Sequence, residues 1–335
     1  METKLKTLFD CVKTLSESDL DRIIEFVLGI FTASATTAVR PDCPICNGQN
    51  IIKFGNRIHK GKRKQRFMCK DCRRTFMHTT NTLLQNSHFE RSVWIDFIRD
   101  TICGVSLDKS AEKYHFSHQT AFNMRHKILM ALEDWFDANP TKLSKITELD
   151  ETFVLESFKG SPVPGAAGRK ARKHGAKAQK PGISSEYVAI CTGIQRDGNA
   201  IAKSVNRAKP SSEEVLSIYN GHIAEDTLIL TDGLRSYNIL KNLPGCTAKD
   251  VNYEDADGML NLNTINSMHS YIKDTYDHYR GVATKYLNRY NALFSIAFRC
   301  SKDIVDNLFA SWGNTGTTSY WHSTVEIRQR DLLCL

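Results

Sequence analysis

Four cysteines and a few acids carry the chemistry open to this sequence. Cys43 and Cys46 form one CxxC pair and Cys69 and Cys72 a second, with 22 residues between the pairs. Two such knuckles present four thiolates, the donor set of a closed tetrahedral Zn²⁺ site. A redox CxxC would need one pair and a thioredoxin-like context. The spacing therefore predicts a structural zinc ribbon with no position left open for catalysis. A second set of residues is acidic. In "ITELDETFV", Asp150 lies among apolar strand residues, with Glu148 on its face and Glu151 on the other. In "TLILTDGLRSYN", Asp232 ends an apolar run just before a glycine turn, a place that also suits a helix N-cap. If the two strands were neighbours, the carboxylates would repel and one would hold a proton. A divalent cation relieves that conflict. Mg²⁺ or Mn²⁺ takes oxygen ligands of this kind, and two such ions support in-line displacement at a phosphodiester.

The segment "NTINSMHSYIK" extends this set. Asn266, His269 and Lys273 recur three and four residues apart and share one helix face, while Ile265, Met268 and Ile272 make the apolar face. Asn266 follows Asp232 by 34 residues, and its amide oxygen offers a neutral third metal ligand. Lys273 places an ammonium two turns along, where a phosphate could meet it. A plain solvated helix surface is the other reading of these three residues. Glu254, Asp255 and Asp257 are the alternative third ligands, and they also suit a solvated loop.

The frame for these residues is a chain of 335 residues, enough for two or three domains. With 41% hydrophobic and 24% charged residues it has the composition of an ordinary globular protein. The six remaining cysteines stand singly, which excludes a secreted disulfide scaffold and favours a reducing cytoplasm. The apolar run "IIEFVLGIFTASA" is too short to span a bilayer and lies too far in for a signal peptide, so no membrane partner is expected. The net charge is +8, and its distribution says more than its sum. Between the knuckles and just after them stand Lys53, Arg57, Lys60, Lys62, Arg63, Lys64, Arg66, Lys70, Arg73 and Arg74, opposed only by Asp71. Phe54, Phe67 and Phe76 are interleaved with them. So one-sided a hairpin on a metal-stapled scaffold suits nucleic-acid phosphates.

The pattern predicts two short helices over 1–38, with the apolar stretch there as an interface to a neighbour or second subunit. The ribbon follows over 39–80. Residues 88–139 read as a helix-turn-helix, with Ser106 and Ser117 as N-caps. Its second helix has Ala121, Met124, Ile128 and Leu132 inward, and Gln119, Asn123 and His126 outward to face DNA. An α/β domain is expected over 143–310, with strands at "SKITELDETFVLESF", "EYVAICTGI", "AIAKSVN" and "TLILTD", a helix at "SSEEVLSIYNGHI", and one long helix over 264–297. Between its first two strands runs "KGSPVPGAAGRKARKHGAKAQKPG", whose Arg169, Lys170, Arg172 and Lys173 suit a linker or a phosphate-binding arm. The tail over 311–335 gives little signal.

The order of ribbon, helix-turn-helix, strand aspartate, strand-end aspartate and "NTINSMHSYIKDTYDHYRGVATKYLNRY" resembles bacterial insertion-sequence transposases that carry a zinc ribbon and an RNase H-like DDE domain, in particular the ISXO2-like group. The similarity runs from about Cys43 to Arg299. It implies a multidomain protein that binds double-stranded DNA at the element's terminal inverted repeats, then cleaves and transfers strands with Mg²⁺ or Mn²⁺. It implies a homodimer or higher assembly on DNA, in the bacterial cytoplasm with the nucleoid. It also implies Asp150 and Asp232 as catalytic acids, with Asn266 and Lys273 matching a variant that has Asn where many relatives have Glu. His269 and Ser270 fit the same motif with no role attached. A domesticated DNA-binding regulator without catalysis, or a nuclease without strand transfer, would share most of these features.

Overall fold

The computed structural model describes residues 42–59, 62–160, 177–251, 260–279, 281–299, 319–330 and 333. The N-terminal helices, most of the basic arm and the acids Glu254, Asp255 and Asp257 fall outside these. The ribbon is a three-stranded antiparallel sheet of β1 (Ile51–His59), β2 (Lys62–Cys69) and β3 (Thr75–Phe76). Cys43, Ile51, Phe67, Cys69 and Phe76 form its small core. So little apolar volume stabilises weakly on its own, which is why a sheet of this size needs a staple.

Three helices follow, α1 (Arg91–Ile102), α2 (Leu107–Lys113) and α3 (His118–Ala138). Both expected caps form: Ser106 Oγ accepts from the Lys109 amide and Ser117 Oγ from the Thr120 amide. The turn between α2 and α3 is filled by aromatic packing of Tyr114 and Phe116 on Phe97. Helix α3 is 21 residues long and buries far more than one stripe. Its Ala121, Met124, Ile128 and Leu132 side is covered as predicted, and its other side packs on a later helix.

The main sheet has five strands in the order β6-β5-β4-β7-β8. They are β4 (Ile146–Leu155), β5 (Tyr187–Gln195), β6 (Ala200–Arg207), β7 (Leu228–Thr231) and β8 (Thr247–Asp250). The first three form an antiparallel meander, and β7 and β8 join parallel to β4. That mixed order is the sheet of an RNase H-like domain. Helix α4 (Ser212–Tyr219) provides the crossover and carries a full capping box between Ser211 and Glu214. On the sheet's other face lie α5 (Asn263–His278) and α6 (Leu287–Arg299). The single long helix expected over 264–297 is thus two helices. Gly281, at φ 85°, takes a left-handed conformation that an α-helix cannot continue through.

The C-terminal segment also departs from its weak sequence signal. Arg289 of α6, fully buried, donates to the carbonyls of Ile327 and Arg330. Asp134 of α3 pairs with His322 and Arg330. Residues 319–330 therefore clasp α3 to α6, and the short helix α7 (Glu326–Gln329) is part of that clasp.

Gly193 marks the tightest point of the sheet, since a Cβ there would stand 2.7 Å from Leu149 and 2.9 Å from Leu143. We predict that Gly193→Ala lowers stability by about 1–3 kcal/mol through overpacking. The shift in denaturant midpoint at unchanged slope is the measurement, and an unshifted midpoint would contradict the packing described.

Candidate active site and metal centre

Strand register brings the two aspartates together. The parallel ladder pairs Ile146 with Leu228, Thr147 with Ile229 and Glu148 with Leu230. Carried two steps on, the same offset sets Asp232, the residue just past the end of β7, near Asp150, and the Asp232 charge is felt there. Asp150 is mostly buried, and the Glu151 amide donates to its Oδ1 at 2.8 Å. Burial pushes its carboxyl up to about 7, the Asp232 charge adds to the rise, and the Glu151 amide and Lys273 charge oppose it. Asp232 is exposed, and its Oδ1 accepts from the Leu234 amide at 2.9 Å, a turn that introduces the 3-10 segment Arg235–Asn242. The N-cap of that segment is Leu234, so Asp232 makes a turn bond rather than a helix cap. That bond and a metal-binding role are compatible, because a carboxylate has further lone pairs to offer.

Helix α5 lies across this end of β4. Ile265, Met268 and Ile272 are fully buried beneath it, as the periodicity required. The opposite stripe faces the acids. His269 Nδ1 stands 3.7 Å from Asp150 Oδ2, and the Lys273 charge is felt at Asp150. Asn266 is exposed one turn earlier on the same stripe. The structure thus gathers Asp150, Asp232, His269 and Lys273, with Asn266 aligned above them. The chemistry of the donors fits a divalent cation. Two neighbouring carboxylates, one of them pushed up to about 7, form a site short of positive charge.

What sets α5 in place is Glu148, two residues before Asp150 and fully buried. Arg196 Nε donates to its Oε1 at 2.6 Å, and the Ile265 amide of the first turn of α5 donates to its Oε2 at 2.9 Å. Arg196 also donates to the Asn261 carbonyl just ahead of the helix. A carboxylate at a helix N-terminus satisfies an otherwise orphaned amide and complements the helix dipole. The strand pattern shows Glu148 on the Asp150 face, but its partners lie 48 and 117 residues away in sequence. Local spacing gives no signal for them.

Glu151 points to the other face, toward the cluster of Cys191, Tyr219 and Tyr237. Burial, then the charges of Asp150 and Asp232, push its carboxyl up to about 7.

The cysteines converge as the spacing predicted. All four Sγ atoms lie within 4.8 Å of one another, with Cys43–Cys72 and Cys46–Cys69 each at 3.7 Å. A tetrahedron with bonds of about 2.3 Å has edges of roughly 3.8 Å, so the four thiols fit one Zn²⁺. On the surrounding hairpin Arg63, Lys64, Arg73 and Arg74 are exposed, and Arg66 bends over Phe54 and donates to Thr75. Lys62 opens β2, while Lys60 and the arm residues Arg169, Lys170, Arg172 and Lys173 lie outside the described residues.

At the start of α3, Gln119 is exposed and bonded to Asn123 at 2.9 Å. His126 contradicts the expectation of an outward, DNA-facing position. It is 1% exposed, packed between Phe122 and Tyr286, with Arg289 at 3.3 Å. Burial and then the Arg289 charge hold its imidazole well below the ordinary range. The reason is that α3 is covered by α6 on the side a free recognition helix would leave open.

The model of the ISXO2-like transposase domain matches residues 142–300. A protein of Halobacterium salinarum named "Uncharacterized protein in transposable element ISH50" is 25% identical over 260 residues, covering 76% of this chain and 84% of that one. Among solved structures, a pre-cleavage Mos1 transpososome aligns at TM-score 0.27 and 12% identity over 68% of this chain and 80% of that one. A mariner Mos1 paired-end complex with Mg aligns at 0.27 and 10% over 65% and 75%. At that score neither carries an argument, and the fold rests on the sheet order above.

Two predictions follow from the geometry. Glu148→Ala strands Arg196 and the Ile265 amide, and should cost about 3–5 kcal/mol in unfolding free energy. Glu148→Gln keeps an acceptor for the amide and should cost less. The second concerns pH. Asp150 and Glu151 titrate near 7 in the folded chain, above ordinary values of 3.8 and 4.5, so the folded state holds protons the unfolded chain has lost. Each then costs stability as pH rises from roughly 4 through 7. His269 acts oppositely, since burial lowers it from 6.5 to about 4. Without added divalent cations, Asp150→Asn should flatten the net fall in stability between roughly pH 4 and 7 in urea titrations. An unchanged slope would show that Asp150 does not carry the shift. Residues 142–300, which carry both Asp150 and Asp232, are similar to the ISXO2-like transposase domain, the group that the order of motifs along the chain implied.

Proposed function

We propose that the chain catalyses metal-dependent cleavage of DNA at the ends of its element and joins those ends to target DNA. The single observation that supports this best is the nearness of Asp150 and Asp232 at the ends of paired parallel strands, with the His269 and Lys273 face of α5 across from them. Asp150, Asp232 and Asn266 would hold Mg²⁺ or Mn²⁺, which when bound supplies an acidified water and charge for the departing oxygen. Asp150 stands between the other groups and orients the site. Lys273 neutralises a phosphate oxygen next to the scissile bond. Water attacks the phosphodiester, leaving a 3′ hydroxyl on the element and a 5′ phosphate on the flank. That hydroxyl then attacks a target phosphodiester, breaking its P–O3′ bond and releasing a target 3′ hydroxyl.

The rest of the chain holds the substrate. The ribbon, stapled by Zn²⁺ on Cys43, Cys46, Cys69 and Cys72, lays Arg63, Lys64, Arg73 and Arg74 along the DNA backbone. Gln119 and Asn123 at the start of α3 meet base edges of the terminal repeat, with Arg169, Lys170, Arg172 and Lys173 as a phosphate-binding arm. Work on two ends calls for a homodimer or larger assembly on DNA, acting in the cytoplasm. One observation favours a second reading. Asn266 is a neutral amide where a carboxylate would bind a cation more strongly, and a regulator that binds DNA without cutting would tolerate it.

The test uses the full chain and a labelled duplex bearing the flanking inverted repeat, assayed with Mg²⁺ or Mn²⁺. Asp150→Asn and Asp232→Asn should each lower nicking and strand transfer by roughly 10³-fold or more while leaving DNA affinity near that of the parent. Cys43→Ser should do the reverse and weaken binding first. Tight binding with no cut by the parent under either metal would replace the enzyme reading with the regulator.

A further inference from the structure

His269 has the geometry of a metal ligand. Its Nε2 lies 2.6 Å from Thr192 Oγ1, and both residues are buried, Thr192 completely. The same hydroxyl lies 2.8 Å from the backbone carbonyl of Asp150, its cross-strand partner. A carbonyl only accepts, so the one hydroxyl proton goes to Asp150 O. The Thr192 oxygen must then accept, and His269 Nε2 must donate. In the neutral ring this leaves Nδ1 unprotonated, with its lone pair aimed into the site. That nitrogen stands 3.7 Å from Asp150 Oδ2. The separation is too long for a hydrogen bond. It is right for two ligands of one ion, which with bonds of about 2.1 Å stand roughly 3–4.2 Å apart.

We infer that His269 binds the divalent cation of this site through Nδ1, alongside Asp150, with Thr192 as the positioning residue that fixes its tautomer. The arrangement is the familiar one in which a ligating histidine gives its other N–H to a fixed acceptor. It explains why a polar ring occupies the otherwise apolar contact of α5 with β5. It also bears on Asn266. An imidazole in the donor set supplies a strong ligand where the third position is only an amide. Nitrogen coordination shifts preference away from Mg²⁺, which favours oxygen, and toward a transition ion, Mn²⁺ of the two.

The inference rests on the proposed metal-dependent reading, and one set of measurements separates the two. Zinc-loaded full chain is titrated with Mn²⁺ without DNA, and the bound ion is followed by electron paramagnetic resonance. Protein grown with ¹⁴N-histidine should show nitrogen coupling to Mn²⁺, and ¹⁵N-histidine should change it to the ¹⁵N pattern. His269→Gln should abolish the coupling. Thr192→Val, which leaves the ring in place, should weaken Mn²⁺ binding by about tenfold or more. Thermal unfolding of each variant verifies that it is folded, and the labelled parent protein serves if His269→Gln is not. Mn²⁺ bound in an Asp150-dependent way with no histidine coupling, or coupling that survives in His269→Gln, would overturn the ligand assignment and leave the metal reading standing. Parent protein that binds Mn²⁺ no better than Asp150→Asn would overturn the metal reading itself, and the ligand with it.

Discussion

The buried carboxylate of Glu148 is the constraint on which the site depends. An ion taken out of water costs several kcal/mol unless charge and hydrogen bonds replace its hydration. Here Arg196 supplies the charge and the Ile265 amide a hydrogen bond, and each partner belongs to a different part of the sheet-helix sandwich. The consequence is geometric. Helix α5 cannot slide or turn on β4 without stranding the carboxylate. The stripe of Asn266, His269 and Lys273 is therefore held over Asp150 by an interaction that contains none of these four residues. A hydrophobic contact alone, such as that of Ile265, Met268 and Ile272, would hold the helix down but would tolerate small shifts along its axis.

With the helix fixed, the electrostatics follow. Asp150 and Asp232 are adjacent like charges, one of them mostly buried, and Glu151 adds a third carboxylate through the sheet. Burial of Asp150 and Glu151 disfavours their charged forms, so these acids come at a local cost in stability. Local costs of this kind, in a strand otherwise well suited to its fold, are what a functional site imposes on a structure. Lys273 offsets part of the charge but is exposed, hence screened and free to move toward a phosphate.

The parts legible in the sequence were those whose chemistry is local. A zinc ribbon needs its cysteines at fixed short spacings, so Cys43, Cys46, Cys69 and Cys72 announced it. Strand alternation put Asp150 and Glu151 on opposite faces, and the 3.6-residue period put Ile265, Met268 and Ile272 beneath α5. Ser106 and Ser117 read as caps because capping is a four-residue event. What stayed hidden depended on partners distant in sequence. His126 looks outward on a helix wheel, and only the packing of α6 against α3 reveals a second buried face. Arg289 reads as a surface charge until the C-terminal carbonyls close over it. The break at Gly281 leaves no mark in the pattern, because the helical periodicity resumes after it.

These hidden contacts change how the molecule is put together. A helix-turn-helix read from sequence is an appendage that could swing on a linker. In the structure α3 is shared, since α2 packs on its start, α6 along its length and residues 319–330 against its Asp134. The ribbon is drawn into the same frame, because the Asn81 side chain donates to Pro44 in the first knuckle and the Asn81 carbonyl accepts from the Tyr320 amide. The C-terminal segment thus touches the ribbon's neighbourhood, α3 and α6 at once. Under the proposed function this rigidity has a use. DNA held by the ribbon and by the start of α3 enters at a fixed place relative to Asp150. The position of the cut is then set by the distance between two parts of one packed body rather than by the reach of a flexible tether.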